Sequence, residues 1–511
     1  MTWRGLVARS HRAHRWGLDC RCVSAFYGFS EIHGIQVIVH GPRGCAYHLN
    51  TLPVDALRQQ LLGFEKNPIA FSTNVGEESA IYGSSEHKLR QALKDLAAKT
   101  RPAAIGLVNT CIPAIVGDDV DTIAREVEDE TGIPIIVACC EAFEDDRGRV
   151  NEYLEAMRRK IRGEEVETGI ERCGRLTALR AVLEKSLESA NEASVDEYSV
   201  GFETYGRLHY YEDIRGEAEE VAEVLGRAGI RLNIFPGCRY SDVPRMLGSS
   251  VFFSRRLRSV FRRIAGRTGA RVLTDASHHK YSGVKGIERF YMDVGRVLSR
   301  EGEVEDALKK KVSWFLENAG GYRSVLEGRR LGLVATPTSL VNETIELASM
   351  FGLKVPLVII KTEWHRRYGA DERVLDRFVE ELVNKISHEH NCEVLVDPDW
   401  RREIDKLRGM DLVCVMLFSN SIENALVYRR EGIRAYAPSV HGFSIYRLSY
   451  RNLLRFGEAA LKTLEHPVSM KPLYARFKFS EKLFPFLEDE VPYRLCFEEV
   501  LRRAWNKPFG S

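Results

Sequence analysis

The fold class that the sequence predicts is α/β, with three Rossmann-like domains that carry mostly parallel sheets. Three observations lead there. Short β-branched runs alternate with longer amphipathic stretches along most of the chain, which is the pattern of parallel strands covered by helices on both faces. Several short runs end in turns rich in glycine or proline. At 511 residues the chain is also too long for one compact core.

The first unit is expected over 1–160, with strands at 35–39, 104–108 and 134–139 and helices at 85–99 and 118–130. Asp118-Asp119 precedes an apolar-periodic run, which suits a helix N-cap. A charged bridge over 159–197 contains a helix at 175–189 and leads to the second unit, placed at 161–327 with this linker included. That unit opens with a strand at 198–202 and a helix at 217–228. A strand at 229–235 follows and ends in Pro236-Gly237-Cys238. Next come a helix carrying Arg255, Arg256, Arg258, Arg262, Arg263 and Arg267, a strand at 271–273, and a polar loop with His278, His279 and Lys280. The third unit, 328–469, alternates strands at 329–335, 354–360, 392–396 and 411–417 with helices at 339–351 and 371–389. The aromatic-rich extension 470–511 is expected to pack on the body or on a partner subunit. No period of 20–50 residues repeats.

Composition narrows the function. Apolar residues make up 44% and charged residues 29%, and the net charge of +2 arises from large, nearly balanced populations. That balance argues against a nucleic-acid partner. No apolar run reaches the roughly 18–20 residues of a membrane span, and no signal-peptide pattern follows the Arg- and His-rich start, so a cytoplasmic protein without a membrane partner is expected. Neither a phosphate loop nor a dinucleotide fingerprint follows any strand. Nucleotide hydrolysis, if the chemistry uses it, comes from another protein.

Eleven cysteines in a reducing compartment are core residues, metal ligands or nucleophiles rather than a disulfide framework. Cys139, Cys140 and Cys414 lie within apolar runs and read as core. Cys45 and Cys111 instead sit at strand-to-loop exits, on the carboxyl edge where parallel sheets bind ligands. Cys20, in Leu18-Asp19-Cys20-Arg21-Cys22, lies ahead of the first strand and within reach of that edge. Thiolates at three such points suit a soft-metal or iron–sulfur site. Spacing alone leaves open an ordinary scatter of cysteines, because no C-x-x-C pair is present.

The motifs around these thiols resemble a known family. His40-Gly41-Pro42-Arg43-Gly44-Cys45-Ala46-Tyr47, Asn74-Val75-Gly76-Glu77-Glu78-Ser79-Ala80-Ile81-Tyr82-Gly83 and Asn109-Thr110-Cys111-Ile112-Pro113-Ala114-Ile115-Val116-Gly117-Asp118-Asp119 are similar, in that order, to motifs of the nitrogenase component 1 superfamily. Gly332–Pro337 and Val440–Phe443 resemble parts of its last domain. The resemblance implies a nitrogenase component 1-like architecture of three α/β domains and a role as an oxidoreductase subunit. It also implies two partners: a homologous or identical component 1 subunit and an ATP-hydrolysing iron–sulfur reductase (component 2).

Departures from the catalytic nitrogenase pattern sharpen that expectation. The eight-iron cluster requires a further cysteine near Ala70, but none occurs from Ala46 to Thr110. Cys20 precedes Cys45 by 25 residues, as in the assembly scaffolds and protochlorophyllide reductases. The implied site is a [4Fe–4S] cluster on Cys20, Cys45 and Cys111, with a fourth ligand from the partner subunit and Cys22 as competitor to Cys20. The cysteine that would hold the large catalytic cofactor aligns near Phe253, and the cofactor histidine is absent from 432–440. The implied activity is electron relay to a tetrapyrrole-like or other unsaturated substrate, and the alternative is a scaffold for metallocluster assembly. A second metallocofactor or a tetrapyrrole would occupy the cavity between domains.

Other residues weigh less. Cys238 and His441 are candidate substrate-binding residues, each set against an ordinary loop cysteine or a hydrogen-bonded histidine. The arginines over 255–267 read best as a solvated helix, with a minority available to clamp an anion. His278, His279 and Lys280 read best as a solvated loop.

Overall fold

The computed structural model describes residues 21–46, 69–139, 174–189, 195–204, 211–275, 280–367, 370–417, 431–436 and 448–465, with scattered positions over 151–162 and at 428–429. Every strand pairing among them is parallel, and the strands form three sheets, as the alternation predicts.

The first sheet follows helix α1 (Arg21–Ser30). It contains β1 (Ile35–His40), β2 (Ala70–Ser72), β3 (Ala104–Asn109) and β4 (Ile135–Cys139) in the order β2-β1-β3-β4. Between its strands run α2 (Glu77–Tyr82), α3 (Ser85–Thr100), α4 (Cys111–Val116) and α5 (Val120–Thr131); α6 (Gly174–Ser189) follows the sheet. Alternate strand residues face opposite layers. Val37, Val39, Val108 and Ile136 pack with α1 and α6, whereas Ile38, Ile105, Leu107 and Ile135 pack with α3 and α5. Helix α5 shows how its sequence dictates the element. Val120, Ile123, Ala124 and Val127 form its buried stripe, Asp119 caps it by accepting from Thr122 N–H, and Gly132 ends it in a left-handed conformation.

The second sheet has the order β6-β5-β7-β8, from β5 (Asp196–Glu203), β6 (Arg231–Phe235), β7 (Ser249–Ser254) and β8 (Arg271–Thr274). Its helices are α7 (Tyr211–Arg227), α8 (Val243–Leu247), α9 (Arg258–Thr268), α10 (Gly283–Val297) and α11 (Glu301–Leu326). Helix α7 starts six residues before the expected start at 217. The central strand β7 is missing from the sequence-based reading. It is buried on both faces, so it has no polar alternation to betray it.

The third sheet, β11-β10-β9-β12-β13, contains β9 (Arg330–Ala335), β10 (Lys354–Ile360), β11 (Glu393–Val396), β12 (Leu412–Leu417) and β13 (Ala435–Tyr436). Around it lie α12 (Val341–Met350), α13 (Glu363–Arg367), α14 (Glu372–His390), α15 (Trp400–Arg408) and α16 (Tyr450–Glu465). One apolar core joins the second and third units.

Two expectations need correction. Arg255 is not on a solvated helix: it lies in the turn before α9, 1% exposed, with Nη2 donating to Glu217 Oε1 at 2.7 Å. Arg258, the first residue of α9, is buried as well, while Arg262, Arg263 and Arg267 are exposed as expected. Cys139 is not core either. It is exposed, because it is the last residue of β4, the edge strand, which pairs only with β3 on one side; Cys414, inside β12, is buried as expected.

Candidate metal centre

The carboxyl edge of the first sheet is built from two turns that lock together. β1 and β3 pair in register, and the pairing ends with His40 opposite Asn109. The chain then turns at Gly41-Pro42 towards Cys45, whose N–H donates to Pro42 O at 3.0 Å. On the neighbouring strand, Thr110 leads into α4, which starts at Cys111. Thr110 ties the two turns together: its Oγ1 donates to His40 O at 2.8 Å and its N–H to the same oxygen at 3.1 Å. Gly41 permits that closeness, since a Cβ there would collide with Thr110 Oγ1. Cys45 and Cys111 therefore leave adjacent strands at the same edge, both half-buried.

A buried polar chain supports these turns from the α3/α5 side. Gly41 N–H donates to Thr73 Oγ1 at 3.1 Å, and Thr73 Oγ1 lies 3.0 Å from His40 Nδ1. His40 Nε2 meets Asp118 Oδ2 at 2.9 Å, and Ser85 Oγ donates to Asp118 Oδ1 at 2.8 Å. Burial pushes His40 below the ordinary histidine value against the pull of Asp118, so the neutral ring bridges a hydroxyl and a carboxylate. The sequence motif that ends in Asp118-Asp119 thus does two jobs: Asp118 holds His40 and Asp119 caps α5. Beside this chain, Asn109 Oδ1 is buried and accepts no hydrogen bond from the described residues.

Above the edge lies an apolar shoulder. Ile112, Ile115 and Val116 of α4 and Tyr82 of the neighbouring α2 are exposed, Ile115 at 66% and Tyr82 at 82%. Large apolar side chains grouped beside a candidate ligand are the mark of a contact surface.

Of the residues singled out from the sequence, the structure thus brings Cys45 and Cys111 to one edge. Cys20 lies outside the described residues, as do His441, His278 and His279; Cys22 is buried within α1. Helix α1 is nevertheless anchored at both ends: at its start Gly174 of α6 abuts Arg21 O too closely to allow a side chain, and just past its end buried Arg175 donates from Nε to Glu31 Oε1 at 2.9 Å. Among the described residues no three histidine, cysteine or acidic side chains gather to hold a metal ion. The two thiols fit a cluster that takes its other ligands from elsewhere. Cys238 stands apart, following β6 at the other end of the first sheet, where Cys238 O accepts from His33 N–H at 2.9 Å.

Phe253, near which the resemblance would place the cofactor cysteine, lies inside the protein. Phe253 is fully buried, stacked on Phe202 with ring centroids 5.1 Å apart and edge-on to Phe290 at 4.9 Å. Arg255 lies over its ring at 5.1 Å. Glu203 accepts from Ser254 Oγ at 2.7 Å and from the N–H groups of Arg255 at 2.9 Å and Leu257 at 3.0 Å. Phe253, Ser254, Arg255 and Glu203, at the carboxyl ends of β5 and β7, are thus buried among the protein's own side chains.

Three parallel sheets, with two turn-borne thiols at the carboxyl edge of the first, define a class: α/β proteins built from Rossmann-like units. The chain belongs to the nitrogenase component 1 type oxidoreductase family, whose model matches residues 20–450. It is 32% identical over 112 residues to the nitrogenase iron-molybdenum cofactor biosynthesis protein NifE of Klebsiella pneumoniae, covering 22% of this chain and 24% of that one. It is 31% identical over 115 residues to the nitrogenase molybdenum-iron protein alpha chain of Methanosarcina barkeri, covering 22% and 21%. The match thus spans only about a quarter or less of each relative's length. A solved structure titled "Nitrogenase Cp1 at pH 6.5" shares the fold at a TM-score of 0.57 and 17% identity, covering 87% of this chain and 88% of that one. No helix among the described residues is long and apolar enough to cross a membrane.

Proposed function

We propose that the chain is a component 1-type subunit that carries a [4Fe–4S] cluster at a subunit interface, on Cys20, Cys45 and Cys111 with a fourth ligand from a homologous or identical partner. The observation that carries this reading is the locking of the Cys45 and Cys111 turns through Thr110 and Gly41. When bound, such a cluster supplies low-potential single electrons. The chain's own residues hold it. Thr110 and His40 fix the spacing of the two thiol turns, and Asp118 holds the His40 ring in place beneath them. Ile112, Ile115 and Val116 supply an apolar surface for the partner to cover, which would exclude water from the thiolates. An ATP-hydrolysing iron–sulfur reductase delivers the electrons, and the substrate is a tetrapyrrole-like or other unsaturated molecule.

The cofactor-biosynthesis relatives keep a second reading alive, a scaffold on which a metallocluster is assembled. The buried Phe253 supports the reductase reading, because it leaves a large metallocluster without the cysteine that would grip it there.

Anaerobic purification with iron and sulfide analysis and electron paramagnetic resonance tests the proposal. The expected result is about four irons per cluster with a matching signal. Both should be lost in Cys45→Ala and Cys111→Ala, and Cys20→Ala against Cys22→Ala should identify the third ligand. Ile115→Asp should leave the monomer folded yet weaken its assembly in light scattering. Iron-free protein under strict anaerobiosis would overturn the cluster. Co-purified pigment would favour the reductase, and a heavier metal the scaffold.

A further inference from the structure

A buried carboxylate stands beneath the thiol edge with no cation to balance it. Asp118 lies in the turn between α4 and α5, and its side chain is 7% exposed. Oδ2 meets His40 Nε2 at 2.9 Å, and Oδ1 accepts from the Ser85 hydroxyl at 2.8 Å. A carboxyl group is a far stronger acid than an imidazolium, so the hydrogen between Oδ2 and Nε2 belongs to the ring. Burial holds that ring neutral, and its bare Nδ1 faces Thr73 Oγ1 at 3.0 Å, which also accepts from Gly41 N–H. His40 therefore orients the Asp118 carboxylate without cancelling its charge. Among the described residues no lysine or arginine pairs with Asp118.

The local fold uses the hydrogen bonds of Asp118 rather than its charge. Asp119 caps α5, and the turn is held by backbone, with Asp118 N–H donating to Pro113 O at 3.1 Å. A neutral amide would accept from His40 equally well. A buried charge without a counter-charge is costly, so this one matters where it acts on something else. The thiols are close. Pro113, which Asp118 bonds, lies two residues beyond Cys111 in α4. His40, which the carboxylate holds, takes both the N–H and the hydroxyl of Thr110 on its carbonyl oxygen. Asp118 thus reaches the Cys111 turn by two routes, at a separation on the order of 10 Å. His40 and Thr110, which lie between, are both buried, so little water screens the charge on that side. Arg43, in the Cys45 turn, is exposed, and solvent screens its opposite charge.

A fixed negative charge at that range opposes the arrival of an electron. We propose that Asp118 lowers the reduction potential of the cluster held by Cys45 and Cys111, with His40 and Ser85 fixing its carboxylate in place. The inference rests on the cluster reading and adds to it a residue that touches no ligand. The step concerned is the transfer of one electron from the iron–sulfur reductase, in which no bond is made or broken and no proton moves. Asp118 sets only how favourable that transfer is.

Redox titration of the anaerobically purified protein, followed by electron paramagnetic resonance, tests this. Asp118→Asn keeps an acceptor for His40 and removes the charge. Its midpoint potential should rise by about 60 mV, a tenfold shift in a one-electron equilibrium. The rise should persist in about 0.5 M salt, which would erase the effect of an exposed charge. Asp118→Ser, a second neutral variant, should shift the potential in the same direction. Ser85→Ala breaks a hydrogen bond of the same network yet leaves the charge, so it should move the potential far less. An unchanged potential in an iron-loaded neutral variant overturns the proposal, as does an equal shift in Ser85→Ala. Loss of the cluster from both neutral variants would overturn it too, by making Asp118 a structural tie. Iron-free wild-type protein is a separate result: it removes the cluster reading itself, whereas the other failures leave that reading standing.

Discussion

At Gly41 a single hydrogen in place of a methyl group allows two strand exits to meet. Thr110 Oγ1 occupies the space that a Cβ would need, and the same hydroxyl donates to His40 O. Gly41→Ala must therefore push the Cys45 and Cys111 turns apart or break the Thr110 bond. Overpacking of this kind costs about 1–3 kcal/mol. The expected outcome is a urea-unfolding midpoint lowered accordingly and iron content reduced in the purified protein. A fully iron-loaded, equally stable Gly41→Ala protein would show that the turns do not need their close approach. The motif around Gly41 is legible in the sequence as a sharp turn delivering a thiol. That the partner of the turn is Thr110 is not legible, because 69 residues separate them.

At the scale of elements, part of a segment that looked solvated is deeply tied. Arg255 was expected on a charged helix, since six arginines over 255–267 occupy several helix faces. The helix in fact begins only at Arg258, and Arg255 is left in the preceding turn, where it pairs with Glu217 of α7. The same helix α7 carries Glu220. Its carboxylate accepts from Tyr450 N–H at 2.6 Å and Arg451 N–H at 3.2 Å, holding the start of α16. Two buried acids on one helix thus bind the second unit internally and to the third. Removing one partner of a buried pair strands the other, at a cost of about 3–5 kcal/mol. Arg255→Ala is expected to lower stability by that order in denaturant unfolding. Pairing it with Glu217→Gln should restore part of the loss, because the double variant no longer buries an unmatched carboxylate.

Over the whole molecule, stability should depend on pH through buried neutral histidines. Burial alone lowers His365 to about 4, and burial lowers His40 as well. For a histidine whose folded value is depressed, the unfolded chain binds the proton more tightly. Stability is then complete above the unfolded value of roughly 6.5 and falls as pH drops towards the folded value. Between pH 7 and pH 4, His365 contributes a loss of about 3 kcal/mol at most. His365→Asn should remove that part of the slope in unfolding curves compared across this window. Identical slopes in the two proteins would show that His365 titrates normally.

The parallel α/β class, the strand–helix alternation and the thiol-bearing turns were determined by the sequence alone. Each is written in local pattern: β-branched runs, glycine and proline at strand ends, aspartate before α5. What only the tertiary structure decided depends on chain segments far apart in sequence. The exposure of Cys139, the burial of Arg255 against Glu217, the burial of Phe253 and the place of Asp118 beneath the thiol edge are all of this kind. A residue's type states what it can bond. Whether a carboxylate, a ring or water stands opposite it is set by how the sheets pack, and packing brings together residues such as Glu220 and Tyr450 that no local pattern connects.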